Sequence, residues 1–190
     1  MNDKILLGIL PSNITGGAEK ILLSYFNGGE SRPFVLNLFI LKKSEPLKLK
    51  KVKVLQFNYD RFLHAIPRLL FTIKSEKINI LFSTFPHITV ILIITKLLRL
   101  HNCIMIVRQP NMIISSLSDS IKLRLIRIVY LRIINFSDAI IVTSKAMLKE
   151  ALKFNIMKEK LFLLKNPIDQ KGLRKNLKPF RTSGSDLKLV

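Results

Sequence analysis

One cysteine cannot form an internal disulfide, and Cys103 is the only cysteine in this chain. It lies in the apolar run Cys103 to Val107 and reads as a small buried hydrophobe, in a chain expected to stay in a reducing cytoplasm. An apolar stretch of membrane-spanning length is also missing. The most apolar segment, Ile88 to Leu98, follows Pro86-His87 and contains Lys96, and it falls well short of the roughly 20 residues a spanning helix needs. Asp3 and Lys4 precede a short apolar run that ends at Pro11, too short and wrongly flanked for a signal peptide. No His, Cys and carboxylate cluster has metal-ligand spacing, and there is neither an internal repeat nor a low-complexity segment. Negative charge is the scarcest commodity: 12 Asp and Glu face 32 Lys and Arg, a net charge of +20. Such a surface favours polyanions, whether nucleic acid, anionic lipid head groups or phosphorylated ligands.

What is present points to a folded α/β domain. Hydrophobic residues make up 48% of the 190 positions and the mean hydropathy is +0.30, enough for a substantial core. Short apolar runs rich in β-branched residues alternate with longer helical patterns, the signature of a parallel sheet with crossover helices. Strands are expected at Lys4–Leu10, Pro33–Leu41, Val52–Phe57, Ile78–Ser83, Ile104–Arg108, Ala139–Thr143 and Leu161–Leu164. Helices are expected from about Ala18 to Tyr25, at Asp60–Lys74, His87–Leu100, Ser118–Asn135 and Lys145–Phe154. Pro67 should kink the second of these or mark its true start. Phe62, Leu63, Ile66, Leu69, Leu70 and Ile73 form its apolar face. Ser118–Asn135 is the longest helical pattern, with Ser118 or Asp119 as its N-cap, and Ser144 caps the helix that follows it. This order of strands and helices implies a Rossmann-like, doubly wound parallel sheet. Residues 1–169 would form that domain and the basic, Pro- and Gly-punctuated residues 170–185 a linker. Residues 186–190 would begin a strand of a further domain.

The most informative local feature is Gly16-Gly17-Ala18-Glu19-Lys20, directly after the first strand. Two glycines permit positive φ and leave no Cβ against an approaching ligand, and the following helix N-terminus favours an anion such as phosphate. The plainer alternative is a tight strand-to-helix connection, since the spacing of a dinucleotide or P-loop fingerprint is absent.

Further pieces follow in order: Ile80-Leu81-Phe82-Ser83, then Val107-Arg108-Gln109-Pro110-Asn111, then Ser137-Asp138-Ala139-Ile140-Ile141-Val142-Thr143-Ser144, and finally Leu164-Lys165-Asn166-Pro167-Ile168-Asp169. With Lys4-Ile5-Leu6 and the glycine segment, this series resembles the N-terminal domain of a family 4 glycosyltransferase of the GT-B fold. The resemblance covers nearly the whole chain, and Asp186-Leu187-Lys188-Leu189-Val190 is similar to the first strand of that family's C-terminal domain. It implies a transferase, retaining by family, that moves a sugar from a nucleotide-sugar donor to a glycan or lipid-linked acceptor. The expected setting is bacterial surface polysaccharide synthesis at the cytoplasmic face of the membrane. The donor is a substrate, and no separate cofactor is implied. The paired glutamates and basic residues that hold the donor diphosphate in this family belong to the C-terminal domain, so the 190-residue chain alone is expected to be inactive.

The resemblance places Gly16 and Gly17 at the interdomain cleft, near the donor diphosphate and the acceptor. Glu19, in the first turn of the helix, is either a cap stabilised by the dipole or a ligand contact. Arg108 ends a strand at the carboxyl edge, where open α/β sheets bind ligands. Many relatives carry a histidine near this point, and this chain goes with the branch that has an Arg followed by Pro, which makes Arg108 the catalytic candidate; the alternative is a salt bridge with a helix-end carboxylate. Asn111, in the same loop, is placed to orient a sugar hydroxyl. His87 lies on a ligand-side loop, as a structural or acceptor-facing residue, whereas His64 and His101 read as surface or helix-end residues. Ser144 is first an N-cap and second a ligand contact. Asn166 and Asp169 organise the crossover into the linker, as a hinge, because Pro167 fixes the chain direction there. Lys122, Arg124, Arg127 and Arg132 give Ser118–Asn135 a basic face. That face is either simply solvated or docks peripherally on an anionic membrane. The rival function is a basic module for nucleic acid or anionic lipid, driven by the charge of +20, though no recognition helix or stacking platform supports nucleic acid. A non-functional truncated transferase is the third reading.

Overall fold

The computed structural model describes residues 4–12, 16–27, 34–42, 49, 52–117 and 119–166. Seven strands form one sheet: β1 (Lys4–Ser12), β2 (Phe34–Lys42), β3 (Val52–Gln56), β4 (Ile80–Ser83), β5 (Ile104–Arg108), β6 (Ala139–Val142) and β7 (Leu161–Leu163). Their order is β3-β2-β1-β4-β5-β6-β7, and all neighbours are parallel. The connecting helices are α1 (Gly17–Asn27), α2 (Phe62–Ser75), α3 (Pro86–Leu97), α4 (Ile113–Ser116), α5 (Ile121–Ile133) and α6 (Lys145–Lys153). The Rossmann-like doubly wound sheet is therefore present.

Strands that read as continuous apolar runs are those buried on both faces, and β1 shows why. Leu6 and Leu10 join Leu36, Leu38, Ile40, Ile80 and Phe82 under Leu22 of α1. The alternate residues Leu7 and Ile9 join Phe39, Leu41, Leu81, Met105 and Val107 on the opposite face, against side chains of α2, α3, α5 and α6. Each fully buried Leu or Ile contributes on the order of 1.5–3 kcal/mol by its removal from water. Truncating one in this sheet removes contacts on a face that has no solvent to relax into.

Expectations change at three elements. Helix α2 starts at Phe62, so Pro67 lies inside it and does not mark its start. Pro67 has no N–H for the Leu63 carbonyl, but both residues are on the solvent side, with Leu63 60% exposed, so water can take the freed acceptor. Leu63 accordingly leaves the apolar face assigned to it. The stretch 118–135 is not the longest helix: α5 has 13 residues against 14 in α2, and a 3-10 turn, Ile134–Phe136, completes the segment. Its cap is Ser120, whose Oγ accepts from the Leu123 N–H at 3.2 Å. Asp119 is not the cap, and Ser118 lies outside the described residues. Finally, β4 begins at Ile80, because the Ile78 N–H is taken by the Ile73 carbonyl as α2 closes. The residues assigned to a linker and a further strand, 170–185 and 186–190, lie outside the described residues.

The order reverses between β1 and β4: β1 pairs with β2 on one side and with β4 on the other. The chain leaves β1 for α1 on one face and leaves β4 for α3 on the other. A crevice opens at such a switch point outside the carboxyl ends of the strands, where open α/β sheets take their ligands.

Candidate functional site

The loops beyond β1, β4 and β5 meet at this carboxyl edge. A pocket of about 220 Å3 is lined by Ala18 of the glycine segment, Phe85 and His87 at the start of α3, Asn111 after β5, and Leu123 and Ile126 of α5. The structure thus joins three of the sequence-assigned segments in one place. A second hollow of about 370 Å3 is lined by Pro11, Tyr59, Asp60 and Arg61 and shares His87 with the first. A larger one, about 780 Å3, lies at the opposite, amino edge of the sheet, beside Lys4, Asn79, His101 and Cys103. It contains none of the expected site residues, and nothing in its lining suggests chemistry: burial pushes the Cys103 thiol up to about 11.

Neither glycine uses the left-handed backbone region that two glycines permit. What Gly16 lacks is instead a Cβ that would sit 2.5 Å from Oε2 of Glu19, whose carboxylate folds back over the first turn. Gly16 accepts the first helical hydrogen bond, from the Lys20 N–H at 3.0 Å, so Glu19 stands in the position of a capping-box carboxylate. Gly17 faces open space.

Arg108 departs most from expectation. Among the described residues it makes no salt bridge; it is 1% exposed, on the α1 face of the sheet. Its Nη2 donates to Asn166 Oδ1 at 2.8 Å, while Nε and Nη1 have no partner among the described residues. Burial lowers its pKa, and the nearby Tyr25 hydroxyl counteracts the shift. On the adjoining strand Ser83 pairs with Val107, so Thr84 and Arg108 are the next residues along, and Thr84 Oγ1 is the other buried side-chain polar atom without a partner among the described residues. Buried polar atoms are otherwise almost always hydrogen-bonded, and a buried unpaired guanidinium is costly. The two residues with orphaned atoms thus lie side by side at the carboxyl edge of the sheet.

His87 is exposed beside the Phe85 ring, 6.0 Å between centroids. Desolvation lowers its pKa, which keeps the ring neutral at physiological pH and able to accept as well as donate. Ser144 caps α6 as assigned, its Oγ accepting from the Met147 N–H at 3.2 Å, and it does not line the pocket. Asn166 is brought to the site by its bond with Arg108, whereas Asp169 lies outside the described residues. His101 is a helix-end residue and not a surface one: it is 6% exposed, its Nε2 within hydrogen-bond distance of Thr95 Oγ1 and the Leu92 carbonyl at the end of α3, and desolvation lowers its pKa.

Sequence reasoning missed the groups that hold the Asn111 loop. Tyr130, buried in α5, donates to Gln109 Oε1 at 2.6 Å, and Gln109 Nε2 donates to the Asn111 carbonyl at 2.9 Å. Glu150, 6% exposed on α6, accepts from the N–H groups of Ile113 at 2.7 Å and Ile114 at 3.1 Å. A signal for Glu150 existed: it shares the spacing of Met147 and Ala151, so it lies on the buried face of an amphipathic helix. The partners it would find there were not visible in the sequence.

No family model and no curated protein matches this chain. Solved structures do. HepE from Anabaena in complex with UDP aligns with a TM-score of 0.61 at 15% identity, covering 87% of this chain and 44% of that one. HepE in complex with UDP and glucose aligns at 0.59 and 14%, covering 87% and 45%. The lipopolysaccharide outer core galactosyltransferase WaaB in its apo form aligns at 0.58 and 11%, covering 87% and 46%. This chain is therefore similar in fold to rather less than half of each of those chains, in keeping with the Rossmann-like half of a GT-B architecture.

Proposed function

We propose that this chain supplies the acceptor-side half of a glycosyltransferase that moves a sugar from a nucleotide-sugar donor to a glycan or lipid-linked acceptor. The observation that carries the reading is the fully buried Arg108, with two unpartnered guanidinium nitrogens at the switch-point edge. It stands in a fold shared with proteins solved with UDP and with UDP and glucose. In this reading Arg108 stabilises negative charge developing on the departing diphosphate, an electrostatic role in a water-poor site. Gly16 and Gly17 let the donor phosphates or the acceptor approach backbone at the α1 N-terminus, displacing the Glu19 carboxylate that lies there. Asn111 and His87 orient the acceptor hydroxyls, Ser144 borders the cleft, and Asn166 and Asp169 form the hinge to a donor-binding domain. The reaction is retaining, and its setting is the cytoplasmic face of a bacterial membrane, in surface polysaccharide synthesis. Among the described residues no helix is long and apolar enough to cross a membrane, and peripheral attachment there is part of the proposal.

NMR titration of the chain with UDP-glucose, other nucleotide sugars and candidate acceptor glycans tests this. Shifts confined to residues 16–19, 84–87 and 108–117 are expected, together with no sugar transfer by the chain alone. Absence of shifts there with every ligand overturns the site, and transfer by the isolated chain overturns the half-cleft assignment. The net charge of +20 keeps a second reading in play, a nucleic-acid-binding module. Tight RNA or DNA binding with a steep salt dependence and no nucleotide-sugar effect would favour it.

A further inference from the structure

The hollow of about 780 Å3 at the amino edge of the sheet holds no reactive group, yet its walls and its rim differ in character. Ile73, Ile78 and Cys103 are buried within it, while Phe71, Leu100 and Ile104 border it at 60%, 53% and 43% exposure. Apolar side chains scattered singly over a surface need no explanation, but several around one concavity mark a place of contact. The rim is cationic. Lys4 and Lys74 line it, and the Arg68 guanidinium lies 5.3 Å from the centre of the Phe71 ring. Lys77 and Arg99, the left-handed residues that close α2 and α3, add two exposed charges at the turns leading to Ile78 and Leu100. Among the described residues no carboxylate lines the hollow, and those beside it in the fold are engaged: Glu76 with Lys53 at 2.6 Å, and Asp138 with Lys96 and the Met105 N–H.

We infer that this hollow is the docking site for an acidic amphipathic helix of a partner protein, whose apolar side chains enter between Phe71 and Leu100 while its Asp and Glu side chains meet Lys4 and Lys74. Charge complementarity selects the acidic partner, since the rim offers cations without a counter-charge. Backbone pairing selects the helix. The strands whose starts border the hollow, β1, β4 and β5, are interior and paired on both sides, so an added strand finds no free edge there. The occupant must then satisfy its own N–H and C=O groups, which a helix does. A second copy of the chain fits poorly, because it brings 32 basic residues and only 12 acidic ones to a basic rim. A flat lipid surface would touch the rim without filling the concavity. Strand β5, five residues and about 17 Å long, separates the hollow from Arg108. A partner docked here therefore leaves the carboxyl edge open, and the inference does not rest on the transferase reading.

The probe is a synthetic helical peptide with leucine at i, i+3, i+4 and i+7 and glutamate on both flanks; one control carries lysine for every glutamate, and another has the same composition in scrambled order. The chain has no tryptophan, so Phe71→Trp installs a single indole at the wall of the hollow. Its emission is expected to shift to the blue, saturably, with the glutamate peptide and to stay unchanged with either control. In isothermal titration calorimetry Phe71→Gln with Leu100→Gln should weaken binding about tenfold or more. Both positions are exposed and the net charge is kept, so the far-ultraviolet circular dichroism should not change. Lys4→Gln with Lys74→Gln should weaken binding by roughly 2- to 25-fold. Undiminished binding in the Phe71 and Leu100 pair, or equal binding of the scrambled peptide, overturns the inference by reducing it to nonspecific attraction of a basic protein. Equal binding of the lysine peptide, or no saturable shift with the glutamate peptide, overturns it outright. A shift that grows with protein concentration without peptide overturns it in favour of a second copy, and one with phosphatidylglycerol vesicles but not with peptide in favour of lipid. No sugar enters these experiments, so their failure leaves the nucleotide-sugar site untouched, and failure of that site leaves docking untouched.

Discussion

Replacing Arg108 by methionine should make the protein more stable and, at the same time, unable to respond to its ligand. The side chain is 1% exposed and, among the described residues, keeps one side-chain hydrogen bond, 2.8 Å to Asn166 Oδ1, while Nε and Nη1 have none. Replacing buried ionic groups with apolar ones of similar length is often neutral or stabilising, by about 1–4 kcal/mol. Losing the Asn166 bond takes back little, because that side chain is exposed and regains water. The slightly smaller methionine leaves a void, which trims the gain to about 1–3 kcal/mol. In a chain of this size each kcal/mol moves the thermal midpoint by roughly 2–4 °C, so Arg108→Met should rise by roughly 2–12 °C in differential scanning calorimetry. Arg108→Lys, which keeps the charge but loses the planar fork, should show no such rise. The NMR shifts expected with nucleotide sugars should vanish in the methionine variant. A fall of more than about 4 °C for Arg108→Met would mean that the guanidinium is satisfied in the free protein and is not held in reserve for a ligand.

The two glycines should separate. Gly17→Ala meets open space and gains helix propensity, so stability should rise by up to about 1 kcal/mol, whereas Gly16→Ala displaces the Glu19 carboxylate and should lose about as much in urea titration. Tyr130→Phe removes the donor that Gln109 Oε1 accepts in a buried site. It should cost about 1–3 kcal/mol and speed amide hydrogen exchange across 109–117, where unchanged exchange would show that the loop is held by something else. Asp138 is the acid-sensitive staple. Its burial opposes ionisation, but hydrogen bonds from Lys96 and the Met105 N–H bring its pKa below 3.8. Because the folded-state pKa is depressed, the stabilisation is complete above about pH 5 and fades as pH falls through the lowered value. The stability gap between wild type and Asp138→Asn should thus be constant from neutral pH to about pH 5 and close below pH 4 in acid titrations, and a gap that persists at low pH would refute the assignment.

The strands were legible because a parallel sheet buries both faces, so Leu6-Leu7, Ile9-Leu10 and Leu38 to Leu41 show up as unbroken apolar runs. The Ser144 cap was legible because capping is a contact between residues three apart. Where neighbouring serines and aspartates compete, as at Ser118, Asp119 and Ser120, local pattern does not choose the winner. The outward polarity of α5 was half visible. Its basic residues were plain, but which face carried them depended on which side met α3 and the sheet.

From its sequence this chain was bound to be a basic, parallel α/β domain with a glycine-opened helix after its first strand, because periodicity, turn residues and net charge are local or additive properties. Only the tertiary structure decided that Arg108 is buried with unspent donors and that Glu19 covers Gly16. It alone also showed that Tyr130 and Glu150, 21 and 37 positions from the groups they bind, hold the Asn111 loop. Those facts depend on which distant side chains share a desolvated volume. That is set by sheet order and helix packing, and no spacing along the chain records it.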